Sequence, residues 1–138
     1  MQNMTTDDRV ALPKIEDARG NLTFIEHGPR GVCPFEIERV YWIYDVPGGR
    51  MRHGRALART TEMIVAVSGA FDVVLDDGRG NCRTHSLRRG DTGVLVPPGT
   101  WRSIVDFSTN SVALVLASAP YDADEYVTDY ELFKKNKT

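Results

Sequence analysis

The run Gly49-Arg50-Met51-Arg52-His53-Gly54-Arg55-Ala56-Leu57-Ala58-Arg59-Thr60-Thr61-Glu62-Met63-Ile64-Val65-Ala66-Val67-Ser68-Gly69 decides the fold. A glycine is followed after five residues by the triplet Arg55-Ala56-Leu57, after four more by Glu62, and after six more by Gly69. The second half is rich in Val and Ile, and neither half contains proline, so the stretch reads as two strands, Arg52–Arg59 and Glu62–Ser68, joined by a short turn. Side chains alternate along a strand, which puts residues 53, 55 and 57 on one face.

The same punctuation continues outward. Short alternating or β-branched runs are broken by Gly, Pro and Asp at intervals of roughly ten residues, the rhythm of an all-β sandwich or barrel. The expected strands besides these two are Leu22–Glu26, Glu36–Val46, Phe71–Leu75, Arg83–Leu87, Gly93–Val96, Trp101–Asp106 and Val112–Ala117. Asp76-Asp77-Gly78 follows an alternating run and is read as a hairpin turn, not a metal site. The period then changes. Asp122 with Glu125 three residues later resembles a capping box, and Tyr126, Tyr130 and Phe133 fall at helical spacing ahead of Lys134, Lys135 and Lys137. One short terminal helix on the barrel is expected.

At 138 residues, 41% of them apolar, the chain is expected to be one domain over 1–138 with a full core. The balance of 17 basic against 19 acidic residues gives no extended field for nucleic acid or anionic lipid, so any bound anion must be met by locally placed arginines. Apolar runs such as Ile64 to Val67 are too short to span a bilayer, and the opening Met1 to Asp8 is polar, unlike a signal segment. Cys33 and Cys82 are expected to be reduced, in keeping with a cytoplasmic protein.

The Gly49–Gly69 spacing resembles the first motif of the cupin barrels, where the triplet is His-x-His and the later acid is Glu. The second cupin motif, Pro-x-Gly-x-x-His, matches Pro97-Pro98-Gly99-Thr100-Trp101-Arg102. Of the four positions that hold metal in cupins, this chain has Arg55, Leu57, Glu62 and Arg102. A transition metal needs three or four deprotonated donors, and arginine supplies none, so metal catalysis is rejected and no cofactor is expected.

A closer resemblance runs from about Ile15 to Lys135. Asp17-Ala18-Arg19-Gly20, Arg39-Val40-Tyr41, Val73-Val74-Leu75-Asp76-Asp77-Gly78, Trp101, Asp106-Phe107-Ser108, Leu114-Val115-Leu116-Ala117-Ser118, and Tyr121-Asp122 through Tyr126 to Phe133 are together similar to the dTDP-4-keto-6-deoxyhexose 3,4-ketoisomerases, the WxcM-like cupins. The resemblance implies a jelly-roll barrel that works without metal on a dTDP-linked keto-deoxyhexose of deoxysugar biosynthesis. It also implies a homodimer that exchanges its N-terminal strand. The reaction moves a carbonyl from carbon 4 to carbon 3. A base takes the proton beside the ketone, an enediol forms, and an acid returns a proton to the neighbouring carbon. In the family two histidines of an Arg-Gly-x-His-Ala-His motif are placed for this work, imidazole being suited by a pKa near neutrality.

Here the aligned six residues are Arg52-His53-Gly54-Arg55-Ala56-Leu57, so both family histidines are replaced. Three readings follow. His53 takes over as base from two residues away, a displacement of roughly 6.6 Å along a strand. Alternatively, the fold binds the nucleotide sugar without turnover or with altered chemistry, Arg55 offering a fixed fork of donors, as a sensor or partner subunit would. Or the changes are a lesion in an ordinary ketoisomerase. The plain reading of His53 is a hairpin residue near the barrel mouth.

The candidate binding residues are Arg39 and Tyr41, on one face of one strand, with Arg52, Trp101 and Arg102. An inward Arg39 needs an anion, either a ligand phosphate or a carboxylate such as Glu62. Trp101 is a stacking surface or a packing anchor. Glu62 is an acid or base if burial raises its pKa, and otherwise the partner of Arg55 or Arg102. Tyr41 exchanges protons only with a strongly perturbed pKa, and His27 and His85 read as surface residues.

Overall fold

The computed structural model describes residues 8–48 and 52–137, with the side chains of Arg52 and His53 outside the described set. Among these residues the strands are β1 (Arg9–Ala11), β2 (Lys14–Asp17), β3 (Gly20–Thr23), β4 (Arg39–Ile43), β5 (Arg52–Leu57), β6 (Glu62–Ser68), β7 (Phe71–Asp76), β8 (Cys82–Leu87), β9 (Thr92–Val96), β10 (Trp101–Val105), β11 (Val112–Ala117) and β12 (Tyr126–Val127). A 3-10 turn, Ala123–Glu125, precedes β12, and helix α1 (Tyr130–Lys135) closes the chain.

Two five-stranded antiparallel sheets form, in the orders β1-β9-β6-β11-β4 and β12-β5-β10-β7-β8, with β2-β3 as a separate hairpin. Their inner faces meet in a core of Ile43, Ile64, Val94 and Val115 from the first sheet and Phe71, Val73, Leu75, Leu87 and Ile104 from the second. This is the all-β jelly roll with a short terminal helix that the sequence implies. Met63 and Val65 point the other way, into a second cluster with Leu12, Cys33, Ile25, Phe35 and Ile37. Covered on both faces, β6 therefore reads as a continuous apolar run instead of an alternating one.

Glu62–Ser68 and Val112–Ala117 form as expected, and several expectations are corrected. The segment read as strand over 22–26 pairs earlier, at Gly20–Thr23, because the turn at Asp17–Gly20 closes a hairpin with Lys14–Asp17, whose exposed, charged sequence gave no alternation. The long strand expected over 36–46 narrows to Arg39–Ile43, and Asp45, at φ 59°, turns the chain out of the sheet. β5 stops at Leu57 because the amides of Arg59 and Thr60 turn to the Glu125 carboxylate. The terminal helix is shorter than expected. Asp122 caps only the 3-10 turn, Tyr126 joins β5 as strand, and α1 starts from Asp129, whose side chain accepts from the amides of Glu131 and Leu132. Both cysteines are free, Cys33 buried and Cys82 exposed.

Candidate functional site

The site lies at one end of the sandwich, where β4 and β6 of the first sheet face β5 and β10 of the second. On β4, Arg39, Tyr41 and Ile43 alternate with Val40 and Trp42, which are exposed, as is Tyr44 just beyond the strand. Ala117 of β11 pairs with Arg39 on one side and Glu62 on the other, so a small residue separates two long polar ones. Across the sandwich, Arg102 is paired in register with Arg55. That pairing depends on Gly54, because a Cβ there would fall 2.1 Å from Trp101 Nε1 and 2.7 Å from Ser103 Oγ.

Glu62 is the centre of the cluster. Its side chain is 1% exposed, and its Oε1 accepts from Arg102 Nε at 3.3 Å while its Oε2 accepts from Arg55 Nη2 at 3.3 Å. Tyr41 completes the unit. Its hydroxyl donates to Glu62 Oε2 at 2.5 Å, and accepts from Arg102 Nη2 at 2.9 Å and from Arg55 Nη2. Charges this deep are tolerated only when paired and hydrogen-bonded, and here one carboxylate serves two guanidiniums. Burial pushes the Tyr41 phenol up to about 12, with the Glu62 carboxylate adding to the rise and the Arg102 and Arg55 guanidiniums opposing it. At neutral pH it is therefore a hydrogen-bond donor and not a base.

In front of this unit opens a cavity of about 480 Å³, lined among others by Arg39, Tyr41, Arg55, Tyr121 and Tyr126. The size suits a small organic ligand. The Arg39 guanidinium carbon lies 5.5 Å from the Tyr41 ring centroid and 5.7 Å from that of Tyr121, and Arg39 Nη1 donates to the Tyr126 hydroxyl at 3.4 Å. Arg55 lies over the Tyr126 ring at 4.8 Å. Arg39 Nε, Arg39 Nη2 and Arg55 Nε are buried and meet no acceptor. Among the described residues the lining holds two guanidiniums and no carboxylate. Unmet buried donors cost about 1–3 kcal/mol each, and since both arginines line this cavity its chemistry favours an anion or an oxygen-rich ligand.

The structure thus brings positions 55, 62 and 102 of the cupin frame into one cluster, together with Arg39 and Tyr41. Glu62 pairs with both Arg55 and Arg102, the plainer of its two sequence readings. Arg39 does not pair with it and instead donates to the Tyr126 hydroxyl. Trp101 is 9% exposed and packs on Tyr130 and Phe133 at ring-centroid distances of 5.2 and 5.4 Å. The side chains of Arg52 and His53, and Gly49 of the frame, lie outside the described residues. His27 is exposed, as read, with Nδ1 3.0 Å from the Cys33 carbonyl. His85 is not a surface residue: its side chain is 14% exposed and its Nε2 lies 2.8 Å from Asp8 Oδ2. Tyr121, Tyr126 and Glu125 were missed as site residues. They sit some 60 or more positions from the strands they meet, so only the resemblance over Tyr121 to Tyr126 pointed there.

A sandwich of two antiparallel sheets with a polar cavity at one mouth defines a cupin-type small-molecule barrel. The chain belongs to the family described as FdtA: WxcM-like, C-terminal, which matches it over residues 6–138. It is 38% identical over 126 residues to the TDP-4-oxo-6-deoxy-alpha-D-glucose-3,4-oxoisomerase of Aneurinibacillus thermoaerophilus, covering 91% of this chain and 88% of that one. Among solved structures it is similar to the WlaRB TDP-quinovose 3,4-ketoisomerase from Campylobacter jejuni, at 35% identity and a TM-score of 0.85 over 93% of this chain and 96% of that one. It is also similar to a His-to-Asn variant of the 3,4-ketoisomerase QdtA from Thermoanaerobacterium thermosaccharolyticum in complex with TDP-4-keto-6-deoxyglucose. That match has 27% identity and a TM-score of 0.87 over 93% of this chain and 91% of that one. In sequence and fold the chain is 3,4-ketoisomerase-like. No helix among the described residues is long and apolar enough to cross a membrane.

Proposed function

We propose that this protein, acting as one domain in the cytoplasm, binds a dTDP-linked keto-deoxyhexose as a metal-independent 3,4-ketoisomerase-type cupin with impaired or altered proton transfer. The carrying observation is that Arg39 and Arg55, each with buried donors left unmet, line a cavity with no acidic side chain among its described lining residues. Arg39 and Arg55 hold the diphosphate, with Arg52 as a further cation for it and Trp101 and Arg102 supporting the wall. Moving the carbonyl requires a group that takes a proton from carbon 3 and one that returns a proton to carbon 4. Arg55 and Leu57 stand where relatives have imidazoles and cannot take one. Tyr41 keeps its own proton, and Glu62 is turned away from the cavity by three donors. His53, on the same strand, is left as the candidate base.

That engagement of Glu62 also favours a second reading, a nucleotide-sugar-binding cupin without turnover, serving as sensor or partner subunit. Incubation with dTDP-4-keto-6-deoxyglucose in heavy water, followed by NMR, separates the two. Slow exchange at carbon 3 that disappears in His53→Ala supports the impaired isomerase, whereas binding with no exchange supports the binder. Rapid product formation insensitive to His53→Ala overturns both. Recovery of turnover in the double variant Arg55→His with Leu57→His would show that only the imidazoles are missing.

We further propose a homodimer that exchanges its N-terminal strand. The exposed Ile15 and Leu22 of the β2-β3 hairpin, Trp42 of edge strand β4 and Tyr44 just beyond it supply apolar surface for a second copy. Light scattering reporting a monomer at micromolar concentration would overturn this.

A further inference from the structure

One wall of the cavity comes from a short strap, residues 121–127, whose described ladder pairing with β5 is confined to the two residues of β12. Tyr121 and Tyr126 are its working side chains, one flanking Arg39, the other receiving its hydrogen bond and lying under Arg55. Two recorded side-chain ties hold the strap to the β5–β6 turn. One is Arg59 Nη2 to Asp122 Oδ2 at 2.5 Å, between exposed groups whose pairing contributes little. The other is Glu125. It is 2% exposed, and its carboxylate accepts from the amides of Arg59 and Thr60 at 2.8 and 3.0 Å and from Thr60 Oγ1 at 2.5 Å. The Ala58 amide in turn donates to the Glu125 carbonyl at 3.1 Å.

The turn that Glu125 grips has Arg55 at its entry strand and Glu62 at its exit. One buried carboxylate thus fixes three parts of the site relative to one another: the strand of Arg55, the strand of Glu62, and Tyr126 one residue further along the chain. Burial pushes the Glu125 carboxyl up, but the hydrogen bonds from Thr60 and from the Arg59 and Thr60 amides outweigh this and leave it below the usual carboxylate range. It is thus held as the acceptor that all three donors require.

We infer that Glu125 is a positioning residue for the ligand cavity, setting the Tyr126 ring and hydroxyl against Arg55 and Arg39 and so fixing the two guanidiniums that line it. This rests on the cavity's binding a TDP-linked sugar. The test uses TDP as probe and isothermal titration of the full chain, with Glu125→Gln, Thr60→Val and Asp8→Asn compared with the wild type. Asp8 lies at the β8–β9 side of the fold, so Asp8→Asn controls for destabilisation without touching the wall. The expected result is a loss of about tenfold in TDP affinity for Glu125→Gln, the size of one charged network, about threefold for Thr60→Val, and none for Asp8→Asn. Wild-type binding with Glu125→Gln within twofold of it, or an equal loss in Asp8→Asn, overturns the positioning role and leaves the cavity reading standing. If Glu125→Gln does not fold, an unchanged affinity in Thr60→Val overturns it instead. A wild type that takes up no TDP sinks the cavity reading and this inference together.

Discussion

Two buried carboxylates, each 1% exposed, organise opposite parts of this molecule. Asp8, just ahead of β1, accepts from Arg83 Nε at 2.6 Å and lies 2.8 Å from His85 Nε2, seating the edge strand. Glu62 accepts from Arg55, Arg102 and Tyr41. A census of ion pairs would treat them alike. What separates them is the remainder: among the described residues no buried polar atom of the Asp8 trio is left unmet, whereas Arg39 and Arg55, which line the cavity, retain unmet donors. Function is written in what the protein leaves unsatisfied, because a saturated pair has nothing left to offer a ligand.

The comparison is broken most severely at Glu62. Glu62→Ala strands two buried guanidiniums without compensation, and urea denaturation should show a loss of about 3–5 kcal/mol. A loss below about 1 kcal/mol would mean that Arg55 and Arg102 reach solvent. Next comes Arg39→Ala. Titration calorimetry should register about a 10–100-fold loss of TDP affinity, as for charged hydrogen bonds, with thermal stability unchanged or raised because unmet donors are removed. Asp8→Asn should do the converse. It should cost about 1–3 kcal/mol in urea while leaving TDP binding intact, since Arg83 loses a charged acceptor far from the cavity.

The smallest effect is spectroscopic. Tyr41 is raised by burial, and Tyr130 chiefly by its hydrogen bond to Asp76, each to about 12. A phenol whose folded pKa exceeds the unfolded value of about 10 contributes stability that is complete below pH 10 and lost as pH rises through 12. Difference absorbance of phenolate should therefore show late-ionising tyrosines, and Tyr41→Phe and Tyr130→Phe should each remove one. A Tyr41→Phe titration superimposable on the wild type would refute the burial argument.

Strand periodicity makes the sandwich legible in the sequence, and the cupin spacing picks out Arg55, Glu62 and Arg102. Arg39 was read correctly as an inward cation, but its partner was not, because register alone does not say that Ala117 stands between it and Glu62. Glu125 was read as half of a local capping box, whereas its carboxylate reaches Thr60, 65 positions away. Contacts of that separation carry no local pattern. Asp8 escaped notice and His85 reads as a surface residue for the same reason, the two partners being 77 positions apart. The hairpin strand Lys14–Asp17 was missed because it is exposed along its whole length, which removes the alternation that betrays a half-buried strand.

Gly54 sets a limit on how far this barrel can be reprogrammed. With the Trp101 indole where a methyl would have to go, a saturation library at that codon should return glycine almost alone. Any survivor would have to push β5 off its neighbour and carry Arg55 away with it. The side chain at position 55 keeps its register opposite Arg102 only while the position before it carries no side chain at all.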